Sequence, residues 1–190
     1  MPNISAHMIV AVEVGKRLNI NSDEFIRGNL LPDITSIEDS HHKISRGVYL
    51  VPDISFFIDN LDLNNDLYVG YLTHLLLDKH YLEDYLSVLY PDENIFSDKL
   101  IYNDYDYLNY QLVKYFHLDA NNISKILAEF NGDVLIDKLE SNIKFLKQKQ
   151  SGETKYLDFE SFSKFLSYIS LVICQELRDY LGRWWYDFGN

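Results

Sequence analysis

The chain has 190 residues, enough for one well-buried domain. Apolar residues make up 47% and charged residues 24%, a globular composition rather than a disordered one. Against 17 basic residues stand 29 acidic ones; the net charge of -12 disfavours extended nucleic acid and anionic membrane surfaces, and it attracts cations. The single cysteine, Cys174, leaves no intramolecular disulfide and no thiolate zinc cluster.

The opening run MPNISAHMIVAVEVGKRL has no basic residue ahead of its apolar stretch, which Glu13 interrupts, so it does not read as a secretory signal. No window is apolar for long enough to span a membrane, and a cytoplasmic protein is expected. Helical periodicity then dominates. His7, Ala11, Val14 and Leu18 share one face of a first helix, capped by Asn3 or Ser5. Asn21 or Ser22 opens a short second helix, expected to end near Gly28 ahead of Pro32. Arg46–Val51 has strand character, but one short run does not make a sheet. Pro52 suits the first turn of a helix over Asp53–Leu61.

Asn64 or Asn65 caps a long helix reaching about Leu89. Further helices are expected over Tyr105–His117, Asn122–Phe130 and Asp133–Lys149. The clearest runs from about Asp158 to Tyr180, where Phe162, Phe165, Leu166, Ile169, Ile173 and Leu177 form a continuous apolar stripe. Cys174 lies within it and reads as a buried, inert thiol. Tyr90-Pro91-Asp92 and Gln148–Glu153 separate helices rather than domains. The expected fold is all-α, a single multi-helix bundle over residues 1–190.

The chemistry concentrates early. His7, His41, His42 and His74 precede the middle of the chain, followed by His80. In the segment from Gly70 to Asp78, Gly70, His74 and Asp78 stack a turn apart on one helix face. His74 and Asp78 can thus reach one cation, with Gly70 leaving space above them. A carboxylate buried unpaired in so Leu-rich a helix is costly, and a metal ion removes that cost. The plainer alternative is a His–Asp hydrogen bond. Two loops add ligand types. Gly28-Asn-Leu-Leu-Pro32-Asp33 presents a carboxylate directly after a proline, and Ser40-His41-His42-Lys43 offers two adjacent imidazoles, of which one is expected as a ligand. Turn chemistry and an exposed polar loop are the ordinary readings of these segments.

Taken in order, His7, GNLLPDI with Asp33, SHHK with His41, and GYLTHLLLD with His74 and Asp78 resemble the zinc-dependent phospholipase C family over roughly the first 80 to 90 residues. The resemblance implies an all-helical fold with zinc ions held by His and Asp. It implies one zinc site made by Asp33, His41, His74 and Asp78, with Asp78 bridging to a second ion. His7 would bind that second ion, helped in the family by the free N-terminal amine. Asp33 is also the implied general base, and His42 stands as the substitute for His41. The family's further site, built on later histidines with a His-x3-Glu step, has no counterpart: the histidines after Asp78 are His80 and His117. One or two ions are therefore expected rather than three.

Oxygen and imidazole ligands suit zinc, or manganese or iron at higher coordination number. With an open position, such a site activates water and clamps a phosphoryl oxygen. The implied activity is a zinc-dependent hydrolase, a phosphodiesterase or related phosphoesterase. Its substrate would be a phospholipid head group, a soluble phosphodiester or a nucleotide, with Lys43 and Arg46 available to a phosphate. A non-catalytic helical protein with a structural or binding metal site is the alternative. A third reading is a metal-free acidic interaction module displaying Trp184-Trp185-Tyr186. No histidine is followed by aspartate, so the adjacent His-Asp signature of the other large all-α metal phosphohydrolase class is missing.

Overall fold

A capped helix opens the chain. In the computed structural model, which describes residues 2–35, 39–92, 95–97, 100–129, 144, 146–147 and 152–187, α1 runs from Ile4 to Leu18. Asn3 is its N-cap, with the side-chain oxygen accepting from the Ala6 amide at 3.0 Å. Ser22 caps α2 (Asp23–Ile34): its hydroxyl accepts from the Phe25 amide and donates to Asp66 Oδ2 at 2.5 Å. Contrary to expectation, α2 does not stop at Gly28 but continues through Pro32 to Ile34. The proline removes one backbone donor, and packing on α4 (Asp66–His80) compensates. A Cβ on Gly28 would lie 1.8 Å from the Leu67 carbonyl oxygen, and one on Gly70 would lie 2.1 Å from that of Phe25. The two helices cross backbone against backbone, an approach that only glycine allows.

Strand β1 (Lys43–Arg46) pairs antiparallel with β2 (Tyr49–Pro52), Arg46 opposite Tyr49, around a turn with Gly47 at φ 59°. The isolated strand expected over Arg46–Val51 is thus a hairpin. Pro52 closes its second strand instead of opening α3 (Ile54–Asn60), which Asp53 caps; a two-stranded ribbon has free edges, where a missing donor costs little.

Every residue of α4 from Val69 to Asp78 is buried. A helix apolar on all sides must be covered on all sides, and α1, α2, α3, β2 and the last helix, α8 (Phe159–Asp187), all pack on it. Beyond His80 it passes into a π-helical turn, Tyr81–Leu86, and ends as α5 (Ser87–Leu89), in line with the long helix read from the sequence. The π turn places Tyr81 and Tyr85 against Phe162 and Phe165 of α8.

Helices α6 (Leu100–Tyr115) and α7 (Ala120–Ala128) lie within a few residues of their expected spans. The helix expected over Asp133–Lys149 falls outside the described residues, apart from 144, 146 and 147, which are helical. Asp104, buried on α6, accepts from the amides of Lys155, Tyr156 and Leu157 at 2.9, 2.6 and 2.9 Å and ties the segment ahead of α8 to α6. α8 buries the apolar stripe seen in the sequence, including Phe162, Leu166, Ile169, Ile173 and Leu177. Cys174 is buried beside them, and burial pushes its thiol pKa up, as suits an inert group. The side chains of Trp184–Tyr186 are outside the described set. No helix among the described residues is long and apolar enough to cross a membrane.

Candidate metal centre

The α2–α4 crossing gathers ligand-type side chains from four segments. His7 comes from α1, Asp33 from the last turn of α2, His41 from the loop ahead of β1, and His74 and Asp78 from α4. Asp78 sits among them. Its Oδ1 is 3.4 Å from His7 Nε2, and its Oδ2 is 3.3 Å from His41 Nε2 and 3.4 Å from His74 Nε2. Asp33 Oδ1 completes the group at 3.9 Å from His41 Nε2 and 4.0 Å from His74 Nε2. All five residues singled out in the sequence therefore converge. They form two overlapping sets with metal-ligand spacing, His7–His74–Asp78 and Asp33–His41–His74. A four-coordinate zinc with bonds of about 2.1 Å holds its ligand atoms about 3.4 Å apart along each tetrahedral edge, which is the spacing seen around Asp78.

Among the described residues, seven buried side-chain nitrogen or oxygen atoms lack a hydrogen-bond partner, and six of them are here: both nitrogens of His7, Nε2 of His41 and His74, and both oxygens of Asp78. Buried polar groups are almost always satisfied, so a local concentration of orphans marks a place where a cation fits. The surrounding hydrogen bonds aim the rings. His74 Nδ1–H donates to the Asn29 carbonyl at 2.7 Å. Ser40 spends its one hydroxyl proton on the Pro32 carbonyl at 2.9 Å, so at 3.0 Å it accepts from His41 Nδ1–H. Both rings then turn Nε2 towards Asp78, the orientation that metal-ligating imidazoles adopt. The Tyr71 hydroxyl donates to the Ser40 carbonyl and clamps the loop that carries His41.

Electrostatics fit the same picture. Burial and the neighbouring His74 push the His7 pKa below its ordinary 6.5, leaving that ring neutral. Burial works against a charged His74 too, but the Asp78 and Asp33 carboxylates outweigh it and raise its pKa. Burial also opposes ionisation of Asp78, yet the facing His74, His41 and His7 rings hold it well below the carboxylate range. The His7 and His74 rings stack 3.7 Å apart and nearly parallel, which accounts for their opposite shifts: two charges cannot share that contact. A divalent cation bound at His74 would compete with a proton there, so its uptake would be linked to pH.

One participant left no mark in the sequence reading. Asn29 is fully buried, and with its amide oriented to satisfy both neighbours it donates to the His7 carbonyl at 2.9 Å and accepts from the His74 amide at 3.3 Å. It joins the backbones of two candidate ligands on different helices. The available signal was its i, i+4 spacing to Asp33, one turn later on α2. The space above Gly70, read as room for a cation, is filled by the α2 backbone at Phe25.

Of the two neighbouring histidines, only His41 faces the cluster. His42 has a left-handed φ of 36°, stacks on Phe56 at 3.9 Å and meets Asp39 Oδ2 at 3.0 Å, turned away from the cluster. His80 does not join: both its ring nitrogens meet other carboxylates. His117 is exposed at the end of α6, and Arg46 lies 3.6 Å from Glu83 on the surface. Met1, and with it the N-terminal amine, lies outside the described residues. Compared with family models, curated proteins and solved structures, the chain matches none.

Proposed function

We propose that the chain is a zinc-dependent phosphoesterase of the phospholipase C type, with Asp33, His41, His74 and Asp78 as the principal ligands and His7 with Asp78 available to a second ion. The observation that carries this reading is the concentration of six unpartnered, buried ligand atoms in one cluster. Zinc bound there supplies a Lewis acid for a phosphoryl oxygen and lowers the pKa of water towards neutrality. Manganese or iron fits the same donor types.

The residues divide the remaining work. His7, His74 and Asp78 have no solvent exposure and form the closed back of the site. Asp33 is a quarter exposed and His41 slightly so, which puts the approach for substrate on their side. On that side the Asp33 carboxylate would accept the proton of an attacking water, the general-base role; its partial exposure supports this reading. A small phosphoester suits the acidic protein better than a polyanion does. The competing reading, a structural or binding site without turnover, draws on the complete burial of three of the five residues; closed sites are structural and open ones catalytic.

The test combines metal analysis of protein purified without chelator with hydrolysis of bis(p-nitrophenyl) phosphate. Zinc at one to two equivalents and chelator-sensitive turnover are expected, with Asp33→Asn lowering kcat by about 100-fold while still holding an ion. Zinc without turnover across phosphomonoesters, phosphodiesters and phospholipid head groups establishes the structural reading. Protein that neither carries zinc nor takes it up on dialysis overturns both.

A further inference from the structure

At the other end of α1 from His7, a cleft of about 470 Å³ opens between the end of α1, the start of α4 and α8. Arg17 follows His7 by ten residues, about 15 Å along the helix axis, so the cleft is separate from the metal centre. Its wall is apolar: Leu18, Ile20, Leu63, Val69 and Leu181. Two guanidinium groups, Arg17 and Arg178, line it as well. The volume and the mix of an apolar wall with a few charged groups are those of small-molecule sites.

The cationic side is incompletely neutralised. Arg178 Nη2 donates to the Arg17 carbonyl at 3.3 Å, and among the described residues no carboxylate pairs with it. Arg17 Nη2 is 3.8 Å from Glu13 Oε2, while the other Glu13 oxygen holds Lys16 at 3.0 Å. The one acidic residue in the lining, Asp66, is engaged by the Ser22 hydroxyl at 2.5 Å. Two forked cations thus stand beside an apolar trough in a protein whose net charge is -12. Planar guanidinium donors match carboxylate and phosphate oxygens in pairs.

We propose that this cleft binds a small anionic amphiphile, with an alkyl chain along Leu18, Leu63 and Leu181 and a carboxylate or phosphate head between Arg17 and Arg178. The site is independent of the metal chemistry. Calorimetric titration of the full, metal-loaded chain with decanoate, decyl phosphate, decanol and inorganic phosphate, all below micelle formation, tests it. Saturable one-to-one binding of decanoate or decyl phosphate is expected, and whichever binds more tightly identifies the head group. Decanol and inorganic phosphate should bind at least about tenfold more weakly, because each lacks one half of the recognition. Arg178→Gln should cost a similar factor, and Leu181→Asp, at a half-buried position of the lining, should abolish binding, with zinc content unchanged in both. Equal binding of decanol, or undiminished decanoate binding by Arg178→Gln, overturns the proposal, as does absence of saturable binding by every probe.

Discussion

The central helix α4 and the π turn that continues it carry two histidine–carboxylate clusters of almost the same composition and opposite design. At His80, each ring nitrogen has a carboxylate of its own: Nδ1 meets Asp84 Oδ2 at 2.5 Å and Nε2 meets Glu176 Oε2 at 3.1 Å. Burial works against the charged ring, but Glu176 and Asp84 outweigh it and raise the His80 pKa. That cluster is complete, and it fastens α4 to α8. Two residues earlier, the single carboxylate of Asp78 faces three Nε2 atoms without a hydrogen bond to any of them. The second arrangement is incomplete as protein alone. Residue type does not separate the two clusters; the tally of satisfied atoms does.

The strongest way to break the comparison is to remove its pivot. Asp78→Ala should lower zinc affinity by more than about 100-fold, measured by competition with a chromophoric chelator, since it removes the carboxylate that faces all three imidazoles. Undiminished zinc binding would mean that the cluster holds no metal. Next in size is Gly70→Ala, whose new methyl meets the Phe25 carbonyl. It should cost about 3 kcal/mol in urea unfolding by forcing α2 and α4 apart; an unchanged midpoint would show that the helices separate freely.

Asn29→Ala sharpens the picture by leaving every ligand in place. Zinc affinity should fall about tenfold, the usual effect of losing a group that orients ligands, because the His7 and His74 backbones lose their common tie. Equal affinity would assign Asn29 to packing alone. The smallest effect belongs to the complete cluster. Glu176→Gln should cost about 1 kcal/mol at pH 6 and leave zinc content untouched. The sign follows from the raised His80 pKa: this stabilisation is whole below the ordinary 6.5 and disappears as pH climbs through the folded-state value. Wild type and variant should therefore converge in alkaline urea titrations, and a gap that widens with pH would contradict the assignment.

Much of this was legible beforehand because it is periodic and local. Apolar spacing located α1 and α8, a cap at Asn64 or Asn65 located α4, and capping residues Asn3 and Ser22 were among the candidates read from the sequence. The residues that converge at the α2–α4 crossing, His7, Asp33, His41, His74 and Asp78, had been singled out from residue type, helical spacing and the resemblance to a known family. What escaped depends on contacts distant in sequence. Pro32 reads as a helix stop, yet α2 runs through it because Gly28 and Gly70 let α4 press close. His41 and His42 are equivalent on paper, and only the Ser40 hydrogen bonds and the turn at His42 decide which faces Asp78.

By itself, then, the amino-acid sequence determined the helical class and the inventory of groups able to hold a cation, since both follow from short-range spacing along a helix. Only the tertiary structure decided which of those groups share a centre, and which are already spent on one another. Asn29 binding two helices, His80 closed off by Glu176, and Asp78 left among three unpartnered nitrogens are all outcomes of how helices far apart in sequence pack, and hydrogen-bond satisfaction is a property of that packing.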